Sequence, residues 1–223
     1  MSYSRFSIYY LPPEGPLADF GASWLGWDVV RGRETAQLDL PDLRDNTMTP
    51  GKYGFHGTLK PPFRLVDTRT IAELEQATSD LAESLPPAIC DRLELMTLGR
   101  FLALVPTGGT EAVQRVAQAC VSGLDEFRAP AEERELARRR AAGLSARQDA
   151  LLAQWGYPYV MEEFRFHLTL SGRLPLAEIP LWVERAQRFL PELPAPSVLD
   201  QIALCGERED GRFEMLHRYT LTG

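Results

Sequence analysis

Two five-residue segments, Phe55-His-Gly-Thr-Leu59 and Phe166-His-Leu-Thr-Leu170, share the pattern F-H-x-T-L and lie 111 residues apart. At this chain's composition a given His has that context roughly once in 3,000 times, so the pair reads as a repeat. The surroundings repeat with it. Each segment is followed by a helix and two strands, at 71–85, 91–98 and 101–106 in the first half and near 180–190, 198–205 and 213–221 in the second. Adding 111 to Leu93 gives Leu204, and adding 111 to Leu104 gives Met215, so strands fall on strands. That period is too long for a solenoid unit. It implies an α+β fold with two pseudo-symmetric lobes, each an antiparallel sheet with helices outside, facing across a central cleft. The expected unit is a single bilobal domain over 1–223, with lobe-forming repeats of about 1–107 and 108–223.

Local signals fill in the rest. A strand is expected over 6–11 and a helix over 16–25, where Pro16 suits a first turn. Residues 29–52 are turn-rich and carry little regular structure in this reading. Strand 55–59 is expected to stop at Pro61-Pro62. Thr70 with Glu73, and Ser145 with Gln148, form capping-box signatures. The second of these, with Gly143 as a helix end, makes 131–155 an inserted helical hairpin. That segment is charged and reads as a solvated face, with a lid or a dimer contact as the sharper alternative. A strong strand is expected over 164–170.

On a strand, side chains two apart share a face. Each motif thus sets an imidazole beside a hydroxyl, roughly 6–7 Å apart. Two imidazoles can divide general base and general acid duties, and two threonine hydroxyls can donate to phosphate oxygens. A phosphodiester, especially a strained cyclic one, suits that set. There is no HExxH or other metal-ligand spacing, so no metal and no cofactor are expected.

The duplicated H-x-T pattern resembles the 2H phosphoesterase superfamily, the group of RNA ligase-like and cyclic phosphodiesterase proteins. KYGFHGTLKPPF (52–63), GLSARQDALLAQWGYPYV (143–160) and EEFRFHLTLSG (162–172) resemble a branch associated with phosphonate-degradation operons. The resemblance covers nearly the whole chain. It implies His56 and His167 as catalytic residues and Thr58 and Thr169 as phosphate ligands. It also suggests a phosphonate-pathway intermediate, such as a ribosyl cyclic phosphate, as substrate. The counterpart of Lys60 is Ser171, so the halves are not equivalent, and which His is the acid stays open.

Further residues are candidates from position alone. Lys60 lies four residues after His56 and shares its face on a regular strand, so it is placed on the phosphate. Arg165, two before His167, is placed there on the same ground. Tyr53 and Tyr157 precede the motifs and are candidates for stacking on a sugar or base. Tyr9 shares a face with Ser7 and suits the cleft better than Tyr10, although packing is the weightier reading for both. His217 lacks the motif context and reads as structural or exposed, and Lys52 is a distant second to Lys60.

Composition bounds the partners. With 24 Lys plus Arg against 31 Asp plus Glu, the net charge is −7, which disfavours duplex nucleic acid. No apolar run is long enough for a membrane span, and the N-terminus lacks a signal-peptide core. Three widely spaced cysteines make neither a disulfide framework nor a zinc knuckle. A cytoplasmic protein acting on a small phosphorylated substrate is the expectation. The alternatives are an RNA-end ligase or phosphodiesterase using the same residues, and a non-catalytic binder of phosphorylated metabolites.

Overall fold

The computed structural model describes residues 3–223. The strands are β1 (Phe6–Tyr10), β2 (Trp27–Asp28), β3 (Arg33–Glu34), β4 (Gly57–Phe63), β5 (Ala88–Cys90), β6 (Arg92–Leu98), β7 (Phe101–Thr107), β8 (Leu168–Thr169), β9 (Ser197–Leu199), β10 (Gln201–Glu207) and β11 (Phe213–Thr220). The helices are α1 (Pro16–Leu25), α2 (Leu43–Gly51), α3 (Ile71–Ser84), α4 (Thr110–Gly123), α5 (Glu133–Arg140), α6 (Ala146–Trp155) and α7 (Ile179–Phe189). Helices start where the sequence signals them. Both capping boxes close, Thr70 with Glu73 on α3 and Ser145 with Gln148 on α6. α1 ends on the left-handed Gly26, where a side chain would be strained.

Seven strands form one sheet in the order β11-β10-β1-β4-β8-β7-β6, every neighbouring pair antiparallel. The two antiparallel sheets expected from the repeat are both there, β11-β10-β1-β4 and β8-β7-β6. They meet edge to edge through one register pair, Gly57 with Leu168. Each sheet draws on both halves of the chain. β4 leads through α3 to the β6-β7 hairpin, which pairs with β8. β8 leads through α7 to the β10-β11 hairpin, which flanks β1 and β4. Each crossover therefore carries its hairpin to the sheet of the other repeat, and the F-H-x-T-L strands are left side by side at the centre.

The main core lies on one face of this sheet. There Ile8, Tyr10, Leu59, Leu104, Leu168 and Leu204 pack with Leu74, Val116, Cys120 and Trp182 from the helices. A smaller cluster on the other face holds Tyr9, Leu11, Trp27, Ala203, Cys205 and Phe213. Cys90, Cys120 and Cys205 are buried free thiols. Among the described residues no helix is long and apolar enough to cross a membrane.

Three expectations change. First, residues 43–51 form α2, whose Leu43, Thr47 and Pro50 are buried at helical spacing, and 27–34 form a short hairpin. Second, β4 runs through Pro61 and Pro62. Its pairing with β1 continues to Phe63, while its pairing with β8 is confined to Gly57, so the prolines leave no N–H partner wanting on the open side. Third, of the strand expected over 164–170 only Leu168–Thr169 is paired, because the two sheets touch only there.

Candidate active site

Both motifs show the same burial alternation, with Phe, the middle residue and Leu buried while His and Thr are half-buried. Gly57 pairs with both Tyr10 and Leu168, whose side chains belong to the main core. Cross-strand partners share a face. The antiparallel register therefore sets His56 beside Thr169 and Thr58 beside His167 on the face opposite the helices. Gly57 is required at this crossing, since a Cβ there would lie 2.4 Å from the Phe166 ring.

The two histidines are held alike. His56 Nδ1–H donates to the Gly54 carbonyl at 2.9 Å, and His167 Nδ1–H donates to the Arg165 carbonyl at 2.7 Å. In each case the acceptor is two residues back, and because a carbonyl can only accept, the proton of the neutral ring sits on Nδ1. In each ring Nε2 then carries the lone pair. Thr58 Oγ1 lies 2.9 Å from His56 Nε2 and donates to it.

Aromatic rings fix the imidazole planes. Tyr9 stacks beneath His56 with ring centres 3.8 Å apart, and Tyr53 lies at its edge at 6.1 Å while stacking on Phe213. Phe101 packs against His167 at 5.6 Å. Burial pushes the His56 pKa down to about 4. The Gly54 carbonyl works against that shift and the nearby His167 adds to it. His56 is therefore neutral at pH 7.

A cavity of about 270 Å³ opens beside these groups, lined by His56, Thr169, Tyr53, Phe101, Thr49 and Arg173 among others; Thr58 and His167 adjoin it through His56 and Phe101 without lining it. Of the sequence candidates, His56, Thr58, His167, Thr169 and Tyr53 thus come together. Thr49 from α2 and Arg173 beyond β8 were not singled out from the sequence. The buried Leu43/Thr47/Pro50 stripe is the signal that would have placed the former.

Lys60 does not join them. Between Ile8–Lys60 and Tyr9–Thr58 the register slips by one residue, a bulge at Leu59. The slip breaks the two-residue alternation and turns Lys60 to the helix side, opposite Ile8. There it is 2% exposed and Nζ donates to the Val121 carbonyl at 2.8 Å. Its counterpart Ser171 is also buried, its Oγ accepting from Leu102 N–H at 2.9 Å. Arg165 is exposed and donates to the backbone carbonyls of Glu162 and Phe164, so its backbone, through His167, serves the site. Tyr157 packs by Val121, Leu151 and Val160 under the Arg139 guanidinium, 4.8 Å from its ring centre, and does not line the cavity. Tyr9 is fully buried and acts through His56, while Tyr10 is core. Lys52 and His217 are exposed, and neither lines the cavity. Among the described residues no three His, Cys, Asp or Glu side chains gather as metal ligands.

A family described as "Protein of unknown function (DUF1045)" matches residues 58–214. The chain belongs to that family. Its relatives include a protein of Janthinobacterium sp. (strain Marseille) named "Ribose 1,5-bisphosphate phosphokinase PhnN". It is 35% identical over 221 residues, covering 94% of this chain and 49% of that protein. A protein of Laribacter hongkongensis (strain HLHK9) with the same name is 35% identical over 197 residues, covering 82% of this chain and 43% of that protein. The chain spans about half the length of these curated relatives. Among solved structures, E. coli LigT complexed with 3'-AMP aligns over all of both chains at 17% identity and a TM-score of 0.44. A structure titled as a phosphoesterase aligns likewise over all of both chains, at 15% and 0.43.

Proposed function

We propose that this protein is a metal-independent phosphoesterase that hydrolyses a cyclic phosphodiester of a small ribose- or nucleotide-like substrate. The observation that carries the reading is the matched pair of imidazoles, each with Nδ1–H on the carbonyl two residues back, which makes Nε2 the proton-exchanging atom of both rings. In the step proposed, water attacks phosphorus and one Nε2 takes its proton. The P–O bond to the leaving oxygen breaks, and the other imidazole, protonated on Nε2, gives that oxygen its proton. The product is a phosphomonoester with one freed hydroxyl, and the next turnover starts after the two imidazoles re-equilibrate with solvent. Burial keeps His56 neutral, which suits it to be the base and His167 the acid. Thr169, and Thr58 once its hydroxyl turns from His56 Nε2 to the substrate, donate to the non-bridging oxygens. Tyr53 and Phe101 offer faces for the organic part.

The cavity, about 270 Å³, suits a small molecule. The relatives' name speaks of a ribose bisphosphate, which agrees with a ribose cyclic phosphate, including one from phosphonate degradation, as substrate. The test is hydrolysis of a panel of ribose and 2',3'-nucleoside cyclic phosphates in ¹⁸O-water with EDTA, followed by ³¹P NMR. One labelled oxygen in the product phosphomonoester is expected. No turnover on any member, or turnover abolished by EDTA, contradicts the reading.

A further inference from the structure

The sequence placed two cations on the substrate phosphate, Lys60 and Arg165, and both side chains are engaged elsewhere. The cavity nevertheless has a cation. Arg173 lines it, and among the described residues its guanidinium makes neither a hydrogen bond nor an ion pair. No Asp or Glu lines the same cavity, so nothing there competes for the guanidinium.

The backbone that carries Arg173 is pinned on both sides. Ser171 Oγ accepts from Leu102 N–H, and Gly172 N–H donates to the Asn46 carbonyl of α2 at 2.7 Å. Leu174 N–H donates to the Arg100 carbonyl at 2.7 Å, and Arg100 Nε returns a bond to the Leu174 carbonyl at 2.9 Å. Arg173 itself is exposed, so its guanidinium stands on a fixed strap at the open side of a cavity lined by no carboxylate, where it is available to an anion.

Its place relative to the motifs says which anion. The reacting phosphorus has to lie between the two Nε2 atoms, where Thr58 and Thr169 already supply donors. Arg173 lies four residues past Thr169, after β8 has ended, up to ~13 Å of chain away. We propose that Arg173 binds a second anionic group, a phosphomonoester carried by the same substrate, so that the site takes a sugar phosphate bearing both a cyclic diester and a monoester. A monoester carries about −1.5 to −2 charge at pH 7 and three acceptor oxygens, which the five donors of one guanidinium match. The threonines serve the diester, so Arg173 is the residue that selects for the second group. This inference rests on the diesterase reading for the identity of the first group only.

The experiment compares a ribose cyclic phosphate with and without a 5-phosphate, on wild type, Arg173→Ala and Arg173→Lys. Wild type is expected to favour the 5-phosphorylated compound by about 10- to 100-fold in kcat/KM, the range of a charged hydrogen-bonded contact. In Arg173→Ala that preference disappears through KM, the loss on the 5-phosphorylated compound exceeding the loss on the unphosphorylated one at least tenfold. Arg173→Lys keeps part of the preference. Equal losses on both compounds, or no loss on either, overturn the proposal. Calorimetric titration with ribose 5-phosphate separates it from the diesterase reading. Binding weakened at least tenfold by Arg173→Ala supports the anion site even if neither cyclic compound is turned over, and binding indifferent to Arg173 overturns it.

Discussion

Replacing Lys60 with Met tests the placement of the one buried lysine. The ammonium is 2% exposed, 2.8 Å from the Val121 carbonyl in the last turn of α4, 3.8 Å from Asp125 Oδ1 and 5.2 Å from the Phe63 ring centre. Burial pulls its pKa from 10.5 down to about 8, against the opposing pull of Asp125. At ~1.36 kcal/mol per tenfold change in proton affinity, keeping this amine charged costs the folded state about 3 kcal/mol. Below pH 8 the amine is protonated in both states and that cost is fully present. Between pH 8 and 10.5 the folded state sheds the proton while the unfolded state keeps it, so stability rises with pH across that window and levels off above it. Met fills the same space without the charge, but it leaves the Val121 carbonyl without its donor, at about 1–3 kcal/mol. The two nearly cancel at pH 7, so Lys60→Met should unfold in urea within about 2 kcal/mol of wild type there. At pH 10.5 the variant should fall behind by a further ~3 kcal/mol, because only wild type gains from deprotonation. Its kcat/KM at pH 7 should stay within twofold. Parallel pH profiles of stability in the two proteins would refute the burial argument, and a hundredfold loss of activity would put the amine back in the site.

Three other perturbations probe the site. Because burial holds the His56 pKa near 4, a rate that needs its free base should be flat from about pH 5 to 7 on the His56 side and fall below about pH 4. An NMR titration of His56 that instead gives a value near 6.5 contradicts the buried setting. Thr58→Val removes the hydroxyl that donates to His56 Nε2 and should lower kcat/KM by about 100-fold with the fold unchanged by circular dichroism. Gly57→Ala would push a Cβ to 2.4 Å from the Phe166 ring, so it should cost about 1–3 kcal/mol in urea unfolding and reduce kcat more than KM, by separating the two motif strands.

How much the sequence shows depends on whether the pattern that encodes a feature is regular. F-H-x-T-L is visible because burial alternates along it, buried at Phe, the middle residue and Leu and half-open at His and Thr, in both copies. The capping boxes at Thr70 and Ser145 are local bonds between residues three apart, so they are legible without the fold. Strand alternation extended from His56 puts Lys60 in the site, but the alternation ends before it. The bulge at Leu59 is a property of pairing with β1, and no residue type marks it. α2 is not legible in the sequence since its Asn, Asp, Thr and Pro50 are turn formers, and tertiary burial of Leu43 and Thr47 outweighs that propensity. Arg173 lies outside any motif, and only the straps to α2 and β7 bring it to the cavity. The exchange of hairpins between the repeats is a matter of strand order, which a linear repeat does not encode.

Both imidazoles are proposed to exchange protons at one phosphorus. The most direct measurement is single-turnover hydrolysis of a ribose cyclic phosphate by His56→Gln and His167→Gln, each checked for native unfolding behaviour. Either change alone is expected to lower the rate by about 100-fold or more while substrate binding by calorimetry changes less than tenfold. A variant of either histidine that turns over within tenfold of wild type would contradict that proposal.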